Sequence, residues 1–287
     1  MEHVKKDLLY KAFVYLVLIL FALSVIIPVA WVFMASLKEN SEFYGSPWAL
    51  PKSLYLKNFT DAWNDANMGD YFLNSVIVTF LSLGILLVTA LPASYVLSRY
   101  NFKLSRPINT FLMSGLFINV SYIVVPIFLM LIDAGDIIGN QIFLNNKFIL
   151  SLVYAATALP FTIYLLSGYM RTIPKAYEEA ASVDGCGHFR TMVQIVFPMT
   201  KPSIITVLLF NFLSFWNEYI IALTLMTDDK SKTLPVGLMN LMKAQNAAAE
   251  YGKLYAGLVI VMLPTLILYI AVQKKLLSGM TVGGIKG

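Results

Sequence analysis

The sequence predicts an all-α polytopic membrane protein, and two observations support that prediction. Of its 287 residues, 58% are hydrophobic and 13% are charged, with a mean hydropathy of +0.72, whereas soluble domains average about 45–50% apolar and about 25% charged residues. In addition, a membrane-spanning helix needs about 20 mostly apolar residues, and six segments meet that requirement. These predicted spans are residues 12–37, 72–97, 108–132, 148–170, 203–226 and 254–273.

Each predicted span has a recognisable boundary. The first carries no charge between Lys11 and Lys38, which makes it longer than the apolar region of a signal peptide. No small-residue cleavage site follows it cleanly, so we interpret it as a retained span. Every other segment begins or ends near a proline, a charge or a polar cluster, as expected where a helix leaves the bilayer.

The distribution of Lys and Arg predicts the orientation of these six spans. With both termini inside, the inside segments carry thirteen basic residues and the outside loops carry eight. Cytoplasmic loops of membrane proteins carry an excess of basic residues, so both termini are predicted to be cytoplasmic. The predicted organisation is an N-terminal span with an outside segment (1–70), a transmembrane domain (71–273) with a cytoplasmic loop (171–202), and a cytoplasmic tail (274–287).

Composition also excludes several classes of protein. The single cysteine, Cys186, allows no intramolecular disulfide, and two histidines with one cysteine are too few for a zinc cluster. The net charge of +5 is spread over the loops rather than gathered into a stripe, which argues against nucleic-acid binding. A membrane enzyme would need His, Asp or Glu residues that converge near one interface, and the sequence shows no such group.

Residues 174–198 form a polar segment between the fourth and fifth predicted spans. Pro174 suits the first turn of a helix, where its missing N–H costs no hydrogen bond. Residues 175–184 favour a helix, and Gly185 with Gly187 then favours a break or a C-terminal cap. The pattern predicts a short helix, a glycine elbow and a second helix.

The two helices predicted in this segment have different surfaces. On the first, two alanines on one face would let another protein approach closely; that face comprises Tyr177, Ala180, Ala181 and Asp184. The second has an apolar stripe made of Phe189, Met192, Val193, Val196 and Phe197. Arg190 and Gln194 point away from that stripe. Other multi-span proteins also have amphipathic helices in their loops, so the helices alone leave the role of the segment open.

The residue spacing within the segment is more specific. Glu179-Ala180-Ala181 is followed after three residues by Gly185, and nine further residues separate Gly185 from Ile195, which Phe197-Pro198 follows after one residue. This pattern resembles the cytoplasmic coupling loop of ABC importer permeases, although Cys186 stands where alanine is usual and Phe197 where leucine is usual. Four other stretches resemble maltose-type carbohydrate permeases: YVLSR at 95–99, WNEY at 216–219, TLPVG at 233–237 and GMTVGGIKG at 279–287.

This resemblance covers the chain from about residue 11 onward and implies a type I ABC importer transmembrane domain in a bacterial-type cell membrane. Such a permease forms half of a channel with a second, related permease subunit. Two ATPase subunits bind it on the cytoplasmic side, and a solute-binding protein delivers a sugar, most often an oligosaccharide, from outside. The chain has no G-x-x-x-x-G-K-[ST] phosphate loop, so ATP and magnesium belong to the ATPase partners, and this chain is expected to be neither an enzyme nor a cofactor carrier.

The resemblance also implies roles for individual residues. The loop residues expected to couple the permease to the ATPase are Tyr177, Glu179, Ala180, Ala181, Asp184, Gly185, Ile195 and Pro198, of which Glu179 through Gly185 would sit in a groove of the ATPase. The tail residues expected to contact the ATPase are Gly279, Thr281, Gly284 and Lys286.

Glu218 is the one ionisable residue well inside a predicted span. An ionisable group at that depth is expensive and therefore often functional. It could line the path of the substrate or make a hydrogen bond between helices, and the second interpretation is slightly favoured because sugars are neutral. Asn119 and Tyr122 in the third predicted span could also offer polar and aromatic surface to a sugar, or serve helix packing.

An ion-gradient-driven secondary transporter is the alternative interpretation. Such transporters place ion-binding groups and broken helices near the middle of the membrane. Apart from Glu218, this sequence shows no paired intramembrane charges, so the ABC importer interpretation is favoured.

Overall fold

The computed structural model describes residues 2–139, 142–248 and 250–283, with the backbone alone for residues 2–6, 8, 245–248 and 274–283. Within these ranges the chain is helical and contains no β-strand. The α-helices are α1 (Glu2–Ser36), α2 (Asn40–Gly45), α3 (Lys57–Asn64), α4 (Met68–Arg99), α5 (Ser105–Ser114), α6 (Val120–Ile138), α7 (Lys147–Thr172), α8 (Ala176–Val183), α9 (His188–Thr191), α10 (Phe197–Met199), α11 (Lys201–Trp216), α12 (Ile220–Leu225), α13 (Leu234–Ala248) and α14 (Tyr251–Gly283).

The described residues contain five helices that are long and apolar enough to cross a membrane. They are Leu9–Ser36, Met68–Arg99, Val120–Ile138, Lys147–Thr172 and Tyr251–Gln273. A sixth candidate is a pair of helices, His188–Met199 and Lys201–Trp216, that bend by 74° at the break between them. The predicted all-α membrane fold is confirmed, and six spans are obtained when this pair counts as one.

The predicted third span, 108–132, has the wrong limits. The side chain of Asn119 accepts a hydrogen bond from a backbone N–H two residues on (2.9 Å) and so caps a new helix, α6, that begins at the next residue. Gly139 then ends α6 in the left-handed conformation, with φ of 73°. The third span is therefore α6. Its last turns also carry two exposed acidic residues, Asp133 and Asp136, so Glu218 is not the only ionisable residue in a span.

The predicted fifth span, 203–226, is interrupted. Helix α11 ends at Trp216, residues 217–219 leave the helix, and α12 begins at Ile220. The interruption arises because the Glu218 carboxylate accepts hydrogen bonds from the N–H groups of Ile221 (2.8 Å) and Ala222 (3.0 Å), which starts a separate short helix.

One compact unit consists of Met1–Gly69 and Leu238–Leu263. It contains an aromatic cluster around Trp31, whose ring centroid lies 5.3 Å from that of Trp48 and 5.0 Å from that of Tyr255. The buried Lys38 ammonium donates a hydrogen bond to the carbonyl of Pro47 (2.6 Å). These contacts fold the segment after α1 back against this unit.

The other unit, Asp70–Gly237 and Pro264–Gly287, contains both candidate sites. Near the start of α4, Asn74 donates to the carbonyls of Lys230 and Lys232 at 2.9 Å each. Gly237 is needed nearby because a Cβ there would lie 2.0 Å from the ring of Tyr71. The far end of α4 packs in an apolar cluster with the end of α7 and the segment after α8; its buried members are Tyr95, Met170, Ile173, Met192 and Val196.

Candidate functional site

The predicted glycine elbow is present after α8. Asp184 ends the helix, and Gly185 follows with φ of +77°, a conformation that favours glycine. The Gly185 N–H donates to the Ser182 carbonyl (3.1 Å) and the Cys186 N–H donates to the Ala181 carbonyl (2.9 Å). These two bonds form a Schellman cap, which fixes the direction in which the chain leaves α8.

Helix α8 presents only part of its predicted contact face outward. Tyr177, Glu179, Ala180 and Asp184 are exposed, whereas Ala181 is only 4% exposed and packs against its own chain. In this structure Ala181 therefore lies on the inner surface of α8, and its predicted role at the ATPase stays a prediction. Consecutive helical residues point about 100° apart, so the two neighbouring alanines divide between the outer and inner surfaces.

The second helix of the segment is not one continuous amphipathic helix. A π-helical turn at Met192–Val196 separates α9 from α10, and its wider spacing changes which residues share a face. Met192 and Val196 are buried as predicted, but Phe189 is 76% exposed and Val193 is also exposed. Pro198 explains the turn, because it has no N–H to donate to the carbonyl four residues earlier.

Exposed apolar side chains therefore flank the elbow on both sides. Val183, at the end of α8, is 88% exposed, and Phe189 and Tyr177 are exposed as well. Sequence periodicity did not single out Val183, and it assigned Phe189 to the inward stripe. The neighbouring loop residues Ile195 and Pro198 are half-buried and exposed, respectively.

An ion pair joins α8 to the end of α4. Arg99 Nε lies 2.9 Å from Glu178 Oε1, and the two side chains are only 4% and 18% exposed. The sequence singled out Arg99 as part of a motif but not Glu178, because an acidic residue beside Glu179 is unremarkable in a polar helix. Only the fold shows that the two neighbouring glutamates point in different directions.

A second group of side chains extends this contact. The hydroxyl groups of Tyr95 and Tyr100 lie 3.5 Å apart, and the Tyr100 hydroxyl lies 3.2 Å from Nδ1 of His188. Together with Arg99 and Glu178, these residues line a cavity of about 210 Å³ between the end of α4 and the segment around the elbow.

Glu218 lies at the break between α11 and α12. Besides the two backbone N–H groups of α12, its carboxylate accepts a hydrogen bond from the hydroxyl of the buried Tyr154 on α7 (2.8 Å). The ring of Tyr154 in turn stacks on that of Phe215, with centroids 5.5 Å apart. Glu218 therefore makes the interhelical hydrogen bond that the sequence slightly favoured.

A cavity of about 510 Å³ opens beside this group. Its wall combines aromatic rings with hydroxyl, amide and carboxylate groups. The aromatic members are Tyr154, Phe161, Phe210 and Phe215, and the polar ones are Thr157, Asn211, Ser214 and Glu218. Asn211 is held in place from behind, since its Nδ2 donates to the Thr162 hydroxyl at 3.0 Å.

Comparison with known proteins identifies the family of this helical fold. Residues 85–277 match the model of the binding-protein-dependent transport system inner membrane component. The chain belongs to this family. The sequence-based assignment to the permeases of ABC importers is thereby confirmed, and the chain is a multi-pass membrane permease rather than a member of an enzyme family.

Two relatives of this permease are similar over nearly its whole length. The diacetylchitobiose uptake system permease protein NgcG of Streptomyces coelicolor is 35% identical over 96% of this chain and 89% of its own length. The melibiose/raffinose/stachyose import permease protein MelC of Bacillus subtilis is 32% identical over 91% of each chain. A crystal structure of a bacterial ABC transporter that imports the acidic polysaccharide alginate has the same fold, with a TM-score of 0.82 at 22% identity over 94% of this chain and 97% of that one.

Of the remaining predicted site residues of the permease, Asn119 and Tyr122 line neither of the two cavities. Asn119 caps α6, and Tyr122 is 82% exposed; neither lines the cavity beside Glu218. In the tail, the backbone at Gly279 and Thr281 continues α14, while Gly284 and Lys286 lie outside the described residues. Among the described residues no group of three or more His, Cys, Asp or Glu side chains could hold a metal ion.

Proposed function

We propose that this permease is one subunit of an ATP-driven importer of small oligosaccharides. A second permease subunit completes the translocation path, two ATPase subunits bind on the cytoplasmic side, and an extracytoplasmic solute-binding protein delivers the sugar. Family membership supports the dependence on a binding protein. The sugars named for two relatives, diacetylchitobiose and melibiose/raffinose/stachyose, support the size and class of the cargo.

The exposed elbow is the observation that carries the coupling role. Lipid covers exposed apolar residues on a membrane span, but the elbow is flanked by the charged, exposed Glu179, Asp184 and Arg190 and is therefore outside the hydrocarbon. Exposed apolar side chains in such a place mark a protein-binding surface. An ATPase groove that receives Val183 and Phe189 would bury them, while the Schellman cap holds α8 rigid during the docking.

The orientation follows the same proposal. A cytoplasmic location of the elbow and of both termini is supported by the excess of basic residues in the segments on that side, which are 1–11, 98–107, 171–202 and 274–287. The tail residues Gly279, Thr281, Gly284 and Lys286 are assigned to the ATPase side by the family resemblance. ATP binding then shifts the spans between inward-open and outward-open states, since docking differs between the two states.

The cavity beside Glu218 supports a place for sugar on the translocation path. Its aromatic rings offer apolar surface to the C–H faces of a sugar ring, and its polar side chains can exchange hydrogen bonds with sugar hydroxyl groups. In this arrangement Glu218 shapes the cavity wall, because its carboxylate already accepts hydrogen bonds from α12 and from Tyr154. Asn119 and Tyr122, at the N-terminal end of the neighbouring helix α6, remain proposed residues of the substrate path.

Proteoliposomes that contain the full complex of both permeases, the ATPases and the binding protein test this function. With radiolabelled raffinose or diacetylchitobiose, uptake is expected to require ATP on the ATPase side and to persist when an ionophore collapses ion gradients. Uptake that proceeds without ATP and stops with the ionophore would support the secondary-transporter alternative and contradict the proposal.

A further inference from the structure

The Arg99–Glu178 pair connects two parts of the permease that the sequence treats as separate motifs. Arg99 is the last residue of α4, a span of 32 residues, and Glu178 is in the first turn of α8, the helix before the elbow. Between described residues of this unit there is one other ion pair, and it joins Lys232 to Asp229, three residues apart. Arg99–Glu178 is thus the long-range one.

The surroundings of this pair make it a firm mechanical contact. Both side chains are largely shielded from water, so solvent and salt weaken the attraction far less than at an exposed site. Removal of either charge would leave the other buried without compensation, which is strongly unfavourable. Moving α8 away from the end of α4 would therefore require separating the two charges of this shielded ion pair, which costs free energy.

The pair is also incompletely satisfied in this conformation. Arg99 Nε and Glu178 Oε1 are close enough to attract each other but are not aligned as a hydrogen bond, and Arg99 Nη2 has no hydrogen-bond partner among the described residues. A guanidinium can hold a carboxylate with two parallel hydrogen bonds. Completing that arrangement requires a displacement of α8 relative to Arg99, so the strength of this contact depends on where α8 lies.

We infer that Arg99 and Glu178 form the linkage through which displacement of α8 reaches the second span. The inference rests on the proposed function, since it presumes that an ATPase moves α8. Without the pair, movement of α8 would reach α11 along the chain through α9 and the π-helical turn, and would reach α4 only indirectly, through the apolar cluster and the contact between Tyr100 and His188. With it, α4 and α11 receive the same displacement. Arg99 and Glu178 are positioning residues, because they act through the spans rather than on the sugar.

The Tyr95, Tyr100 and His188 contacts support this direction of transmission. Tyr95 lies one turn before Arg99 on α4, and His188 is the first residue of α9. Polar contacts at 3.5 and 3.2 Å through Tyr100 bridge them. The end of α4 thus touches the segment on both sides of the elbow, as a rigid transmission of movement requires.

The test measures sugar imported per ATP hydrolysed in proteoliposomes of the full complex, with radiolabelled raffinose or diacetylchitobiose as cargo. Arg99→Gln and Glu178→Gln are each expected to lower this ratio about tenfold while ATPase subunits stay bound. The exchanged variant, Arg99→Glu with Glu178→Arg, is expected to recover most of the ratio because it restores the attraction. Arg171→Gln, an exposed arginine at the corresponding end of α7, is the matched control and should behave as wild type.

Three results would overturn the linkage. The first is a wild-type ratio in Arg99→Gln or Glu178→Gln. The second is an exchanged variant that assembles but stays uncoupled. The third is a loss of assembly in the single variants while the complexes that do form remain fully coupled, which would make the pair merely structural. Failure of wild-type complex to couple uptake to ATP would instead contradict the proposed function.

Discussion

Glu178 and Glu218 are two half-buried glutamates beside short helices, and their partners differ. Glu218 accepts three hydrogen bonds at 2.8–3.0 Å, from the Tyr154 hydroxyl and from the N–H groups of Ile221 and Ala222. Glu178 faces a guanidinium whose Nε is near but not aligned, and whose Nη2 has no hydrogen-bond partner among the described residues. The carboxylate of Glu218 thus has its hydrogen bonds formed, whereas the guanidinium beside Glu178 still has N–H groups that could donate one.

From this difference we expect a fixed part of the permease at Glu218 and a movable one at Glu178. A fully satisfied polar network favours a single conformation, so the break between α11 and α12 is a rigid wall of the cavity. A charge pair with an unused donor can gain a contact when a neighbouring helix moves. We therefore expect substitutions at Glu218 to change mainly the free energy of unfolding, and substitutions around the elbow to change mainly the coupling to the ATPase.

The largest expected effect is at Glu218. Glu218→Ala removes the acceptor for the buried Tyr154 hydroxyl and for two backbone N–H groups, and should lower the free energy of unfolding by about 3 kcal/mol. Thermal unfolding of the purified chain in detergent measures this change. Tyr154→Phe removes one of the three bonds and should cost less, about 1 kcal/mol.

Ser214→Ala is the control for Glu218→Ala. Ser214 lines the same cavity but its side chain is exposed, so the substitution should change the stability by less than about 0.5 kcal/mol. If Glu218→Ala unfolded at the wild-type temperature, Glu218 would not be the structural cap described here, and the contrast with Glu178 would disappear.

A smaller and more local effect is expected at the elbow. Gly185→Ala places a side chain at φ of +77°, at a strain of about 1 kcal/mol. Because the elbow is exposed, the variant can relax this strain in the free permease and must adopt the left-handed conformation again to dock. The strain should therefore weaken ATPase binding about fivefold, while the unfolding temperature of the chain stays near that of wild type. Binding of purified ATPase subunits to the permease in nanodiscs measures the change.

Gly187→Ala is the matched control for this substitution, since Gly187 has φ of −71° and no atoms within 4 Å of an added Cβ. It should bind the ATPase as wild type does. Equal effects at the two glycines would show that the left-handed conformation at Gly185 does not matter for docking.

Much of the fold could be predicted from the sequence because the bilayer imposes a simple rule. A span needs a long apolar run, and α1, α4, α7 and α14 satisfy that rule within a few residues of the predicted limits. The family was equally accessible, because Glu179, Gly185 and Pro198 fall at a restrictive spacing. The glycine elbow was predictable as well, since few residues other than glycine adopt its backbone conformation.

The predicted limits of the third and fifth spans were wrong because polar side chains there bind backbone N–H groups and start new helices. Asn119 and Glu218 each start a new helix by accepting backbone N–H groups, and hydropathy counts such residues only as minor interruptions. The π-helical turn interrupts the predicted apolar stripe, and Phe189, in the helix before the turn, is exposed. The partners of Arg99 and Tyr154 lie 79 and 64 residues away in the chain, and only the packed fold brings them together.

Photo-cross-linking from the elbow tests most directly the claim that residues 174–198 receive the ATPase. In a Cys186→Ala background, Val183→Cys would carry a benzophenone maleimide in the assembled complex, with Tyr44→Cys, an exposed residue of α2, as the control. We predict a light-dependent cross-link to the ATPase subunit from position 183 and none from position 44. A cross-link to the ATPase from position 44 and none from position 183 would contradict both the docking surface and the orientation of the permease.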